Sequence, residues 1–291
     1  MRRHRIKNKK IIGWLLLLPI TIWLVCFALA PMLYGLRLSF YNARINNINN
    51  PDFIGFGNYI KLFQSADFGA SLLWSLRFAV IATLIQMVLG VLIAQLFNRN
   101  FPGKSAAITL FLLPMVISPF LMGTMFRLLF NEFVGPIAYL LSGITGTTAM
   151  LGVAFVNSTI LGADAINRTP FVFINVYSAM QGVSQELIEA SKVDGANAFQ
   201  RLMHVTFPLI SSILWVTFLE KLLASFLIFE LVFALSAGGP GSFTQGISIY
   251  IYRRAFQRSD YGMASAASFT LAIMLLIPSL YLVKRMLKGI K

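Results

Sequence analysis

A chain of 291 residues that is 57% hydrophobic and 12% charged, with mean hydropathy +0.76, is too apolar for a soluble domain and reads as an all-α protein of several membrane spans. Its net charge of +14 lies in short flanks of apolar runs, as membrane topology requires, and this excludes nucleic acid as the partner. The single Cys26 excludes an intramolecular disulfide and a thiolate metal cluster.

Residues 1–10 form a basic N-terminus with Arg2, Arg3, Arg5, Lys7, Lys9 and Lys10, expected in the cytoplasm. The charge-free run behind it imitates a signal peptide, with Ala28-Leu29-Ala30 as the cleavage site. It is too long for that and Pro31 follows, so a retained first span is expected. Residues 37–71 form a polar outer segment that holds Asn42, Asn46, Asn47 and then Phe53, Gly55, Asn58 and Tyr59. A second span covers 72–97. The loop 98–104 carries Gly103-Lys104-Ser105, the end of a phosphate-binding loop, but Asn98 stands where that loop needs its first glycine, so no ATP site is expected in this chain. The third span, 106–130, contains Pro114 and Pro119, which free backbone carbonyls that a neighbour or an aqueous path must satisfy. Residues 131–152 make an outer loop. The fourth span runs to 182 and sets Asp164 and Arg168 one turn apart, a functional candidate or a rim pair.

Residues 184–209 are a polar island. Ser184 is placed to cap a helix that ends at Gly195 in a left-handed turn, and a second short helix between Ala196 and Val205 follows, with Phe199, Leu202 and Met203 at helical spacing. Pro208 suits the first turn of a new helix. Glu189, Ala190, Ser191, Gly195, Val205, Phe207 and Pro208 keep the spacing of the Glu-Ala-Ala loop by which permease subunits of bacterial ABC importers dock on their ATPase, and the chain resembles that family. The resemblance implies a type I importer fold of about six transmembrane helices (residues 11–291), with a coupling loop at 182–209. It assigns ATPase coupling to Glu189, Ala190, Ser191, Asp194, Gly195, Phe199, Arg201, Leu202, Met203 and Pro208. The Phe53, Gly55, Asn58, Tyr59 segment and Gln181 also resemble the family, whereas Ile166 replaces its usual tryptophan.

The fifth span, 207–237, carries Glu220, Lys221, Ser225 and Glu230. These are costly unless they face protein or water. Asn175, Tyr177, Ser225, Phe226, Phe229 and Glu230 combine aromatic faces with polar groups and are candidates for the substrate path. Gly238, Gly239 and Pro240 predict a tight outer reversal and resemble the MalF-like half of carbohydrate importers. A sixth span, 261–283, ends in Lys284, Arg285, Lys288 and Lys291. The segments expected inside hold fourteen Lys and Arg against six outside, which places both termini in the cytoplasm and the protein in a bacterial inner membrane.

The resemblance implies a second homologous permease, two ATPase subunits that bind ATP and Mg, an extracytoplasmic solute-binding protein and surrounding membrane lipid, with no cofactor or metal on this chain. Another solute class, polyamine or phosphate, stays open. A secondary transporter relaying ions through Asp164, Glu220 or Glu230 would show internal repeats, and none is evident. A membrane enzyme would need a nucleophile motif or paired catalytic carboxylates, which are missing, as is a His-rich cluster.

Overall fold

The computed structural model describes residues 16–289, without the side chains of 277, 278 and 281–289; the basic segment 1–10 lies outside the described residues. The described chain divides into two compact units, residues 16–66 with 251–274, and residues 67–250 with 275–289.

In the first unit, helix α1 (Leu16–Ser39) is 24 residues long and apolar, and at 1.5 Å per residue it can cross a bilayer. Its turn Val25–Leu29 is widened into a π-turn, with the Ala30 N–H reaching back to the Val25 carbonyl. The next residue is Pro31, which has no N–H and crowds the carbonyl four residues back, so the wider turn accommodates it. Strands β1 (Tyr41–Asn42) and β2 (Asp52–Phe53) pair antiparallel, with Tyr41 opposite Phe53, and a short helix α2 (Gly57–Gln64) follows. The Phe-x-Gly-x-x-Asn-Tyr segment holds this corner. Buried Asn58 donates to the carbonyls of Ser39 and Tyr41, each at 2.9 Å, and the Tyr59 hydroxyl donates to Ser39 Oγ at 2.8 Å.

In the second unit, α3 (Ala66–Phe97) is a 32-residue apolar helix. The expected third span is two helices, α4 (Lys104–Val116) and α5 (Pro119–Leu129), bent by 91°. Ser118, before Pro119, is extended (φ −55°, ψ 137°), as the proline ring dictates. Helix α6 (Pro136–Thr145) occupies the expected outer loop, and α7 (Val156–Gln181) is the fourth span. The polar island forms α8 (Gln185–Val193) and α9 (Ala198–Arg201). The expected fifth span is also broken: α10 (Phe207–Phe226) stops, 227–229 leave the helix, and α11 (Glu230–Ser236) restarts it. Helices α12 (Ile247–Tyr252) and α13 (Tyr261–Gly289) complete the chain. Among the described residues two helices, α1 and α3, are by length and composition able to cross a membrane unaided, and three crossings result if the bent pair counts as one.

Two apolar clusters form the core of this unit. One joins Phe78, Met122, Ile160, Leu231 and Ile249. There α5 and α11, the second halves of the two broken helices, touch so closely that a Cβ on Gly123 would lie 2.5 Å from the Leu231 carbonyl oxygen. The other gathers Val172, Phe173, Val176, Met180 and Ile210, with Leu202 and Phe207 packed against it.

Candidate functional site

The docking loop is shaped by local bonds. After α8, the Ala196 N–H bonds to the Ser191 carbonyl and the Gly195 N–H to the Lys192 carbonyl, each at 3.0 Å, which is a Schellman closure. Gly195 takes φ +78°, as expected, and the space around it is open, so its requirement is conformational rather than steric. Asn197 Oδ1 accepts from the Gln200 N–H at 2.9 Å while Gln200 Oε1 accepts from the Asn197 N–H at 2.8 Å. This capping box went unread in the sequence, where the spacing Asn-x-x-Gln carries it. Ser184 occupies the N-cap of α8, but its side chain makes no capping bond.

The second short helix does not stop before Pro208. Residues 202–206 form a π-turn whose last bond runs from the Phe207 N–H to the Leu202 carbonyl, and helical backbone continues into α10. This is the same accommodation of the following proline as at Pro31. A short lever is therefore joined to a long helix without a hinge.

The loop residues divide by exposure. Phe199 (66% exposed) and Met203 (40%) face outward, as do Glu189, Ala190 and Asp194, with Gln185 Nε2 donating to Glu189 Oε1 at 3.3 Å. Ser191 is buried and bonds to the Ile188 carbonyl at 2.7 Å. Arg201 turns back to the Ala196 carbonyl at 2.6 Å, and Leu202 anchors the loop to the apolar cluster under α7.

A second polar constellation crosses the helices. Asp164 on α7 is fully buried and accepts from Gln86 Nε2 on α3 at 2.7 Å. Arg168 Nε lies 2.9 Å from Asp164 Oδ1, an ion pair by distance whose N–H points off the hydrogen-bond line. Lys221 on α10, 3% exposed, stands 4.5 Å from the Phe171 ring centre and 3.6 Å from Glu220 Oε2. The hydroxyls of Thr83, Thr169 and Ser225 and the Gln86 Oε1 are buried with no hydrogen-bond partner among the described residues. Unsatisfied buried groups cost about 1–3 kcal/mol each, so a polar seam of this kind in apolar helices is suited to water or a hydroxylated ligand.

Both helix breaks are closed from a neighbour. Asn167 Nδ2 donates to the carbonyls of Pro114 at 2.8 Å and Ile117 at 3.0 Å, and Ser248 Oγ donates to the Leu227 carbonyl at 3.0 Å. Gln86, Asn167 and Phe171 were missed as site residues, since each acquires its role only through a distant partner.

The predicted path residues do not gather in one place. Ser225 and Phe226 are buried at the end of α10, Phe229 in the break stacks on Phe233 at 5.1 Å, and Glu230 is exposed at the start of α11. Tyr177 stacks on Phe173 at 5.5 Å and has Lys104 Nζ 5.3 Å from its ring centre. It is nine residues beyond Arg168, about 14 Å along the helix, and half-buried Asn175 lies two positions before it. The Gly238-Gly239-Pro240 reversal is closed by Thr244 Oγ1, 2.8 Å from Ser236 Oγ and donating to the Gly239 carbonyl at 2.7 Å.

This arrangement of broken helices around a polar seam, with an amphipathic loop between α7 and α10, is the type I ABC importer permease fold. A solved bacterial ABC transporter involved in import of the acidic polysaccharide alginate superposes on the whole chain at TM-score 0.86, covering 100% of both chains at 23% identity. Residues 86–288 match the family described as binding-protein-dependent transport system inner membrane component, and the chain belongs to it. It is similar to the probable ABC transporter permease protein y4oQ of Sinorhizobium fredii (29% identity, 99% of this chain and 93% of the relative). It is also similar to the probable starch degradation products transport system permease protein AmyD of Thermoanaerobacterium thermosulfurigenes (30%, 91% and 90%). The trehalose/maltose transport system permease protein MalF of Thermococcus litoralis matches at 26% over 91% of this chain and 90% of the relative. The chain is thus a permease subunit, an inner membrane component of a binding-protein-dependent transport system.

Proposed function

We propose that this subunit forms half of a sugar path, paired with a second, related permease and driven by two copies of an ATPase that bind ATP and Mg. An extracytoplasmic solute-binding protein delivers the sugar, and lipid surrounds six spans whose two ends lie in the cytoplasm. The observation that carries the reading is the docking loop. Phe199 and Met203 project from a lever closed by Gly195 and continuous with α10, the helix bearing Lys221. ATP-driven movement at one end therefore reaches the polar seam as a rigid displacement. Differential binding of nucleotide and solute to the two resulting states gives alternating access.

The sugar assignment draws on the names of the relatives and on the seam. Asp164 and Glu220 balance Arg168 and Lys221, which leaves no net charge, while Phe171 offers a ring and Ser225, Thr169 and Gln86 offer hydrogen-bonding groups. Neutral polyhydroxylated solutes match such a set of groups when movement of the helices uncovers it. The test is to purify the complex through a tag on this chain and identify the accompanying chains, then measure uptake of radiolabelled maltodextrins and of a polyamine in reconstituted vesicles. Recovery of a second permease, an ATPase and sugar uptake is expected; uptake of polyamine alone would overturn the sugar assignment.

A further inference from the structure

A cavity of about 390 Å³ lies between the docking loop, the end of α3, the 98–104 loop and the end of α7. Its walls carry Arg99, Lys104, Lys192 and Arg201, while the loop's carboxylates, Glu186, Glu189 and Asp194, do not line it. None of these four cations has a carboxylate partner among the described residues. The topology rule accounts for basic residues on this side of the membrane but not for their convergence on one hollow. The walls are braced: Gln181 Nε2 donates to Asn98 Oδ1 at 2.9 Å, joining the ends of α7 and α3, and Arg201 is held by the Ala196 carbonyl. A concavity with four cations, side-chain amides and no anion concentrates positive potential, and guanidinium groups match phosphate oxygens in geometry.

We infer that this cavity binds a phosphate group, carried by an anionic phospholipid at the membrane rim or by a soluble phosphate, and that occupancy braces the docking loop against α3 and α7. The inference rests on the reading of 182–209 as the docking loop on the cytoplasmic side.

The experiment uses the assembled importer in nanodiscs of phosphatidylcholine, with neither solute nor ATP present. Its thermal unfolding is followed as phosphatidylglycerol replaces part of the lipid, and separately as inorganic phosphate is titrated against potassium chloride of equal ionic strength. A rise in Tm with phosphatidylglycerol alone assigns the lipid, and a rise with inorganic phosphate assigns the soluble ligand. The double variant Arg99→Gln/Lys192→Gln is expected to weaken the apparent affinity at least about tenfold, as loss of charge-assisted contacts requires. Asn100→Asp, which adds a carboxylate to the wall and removes no cation, gives the same readout where the double variant fails to assemble. No rise in either arm, or a rise that these variants retain, overturns the inference. Because the measurement needs no transport, its failure leaves the importer reading standing, and a failed uptake assay leaves this result unaffected.

Discussion

Asp164 and Gln86, seventy-eight positions apart in the chain, meet through a 2.7 Å hydrogen bond in the interior of the second unit. The bond ties α3 to α7 through a carboxylate that no water reaches, and the same carboxylate faces Arg168.

Removing that carboxylate strands Arg168. Asp164→Ala is expected to cost about 3 kcal/mol, the low end for a broken buried pair, because the Arg168 side chain is 24% exposed and can reach solvent. Asp164→Asn keeps a partner for Gln86 and is expected to cost less. Thermal unfolding of the purified complex checks the order; equal Tm for both variants would contradict it.

Asn167 is expected to hold the bend between α4 and α5. Asn167→Leu removes the side-chain donor to the Ile117 carbonyl and one of two donors to the Pro114 carbonyl, which keeps the Ile117 N–H at 3.3 Å, so a total loss of about 1–3 kcal/mol is expected. Hydrogen exchange around residues 114–122 should rise in the variant. Unchanged protection there would show that the bend needs no donor from α7.

Gly123 sits where α5 crosses α11. Gly123→Ala places a methyl against the Leu231 carbonyl, and the helices must separate at a cost of about 1–3 kcal/mol. Reduced yield of assembled complex and a lower Tm are expected, with wild-type stability the contrary result.

Gly195 separates strain from clash. With open space around it, Gly195→Ala is expected to strain the turn by about 1 kcal/mol and Gly195→Val by more, whereas Gly195→Asn, which tolerates the left-handed region, should be milder. The chains should accumulate in the membrane, while solute-stimulated ATP hydrolysis falls in the order Asn, Ala, Val. Glu189→Ala is expected to act similarly. Full coupling in Gly195→Val would remove the loop from power transmission.

Orientation is tested on a Cys26→Ser background, since Cys26 is exposed. Asn46→Cys and Gln200→Cys both place thiols at exposed positions. A membrane-impermeant maleimide added outside should label the first and spare the second; the reverse pattern would invert the topology.

The sequence by itself determined what depends on near neighbours. The left-handed turn at Gly195 closes through residues 191–196, and α1 and α3 follow from long, predominantly apolar runs. Prolines 114 and 119 announced a disturbed third span, but not the donor that stabilises it, because Asn167 arrives from α7. The break after Phe226 has no proline to mark it; it is closed by Ser248, twenty-one residues further on. Lys221 and Glu220 were visible as costly ions, yet the ring of Phe171 above Lys221 was not. Apolar periodicity says which residues leave water, and glycine and proline say where the backbone turns. Which buried polar groups satisfy one another depends on distances between helices that no local pattern encodes, and the tertiary structure alone decided the polar seam.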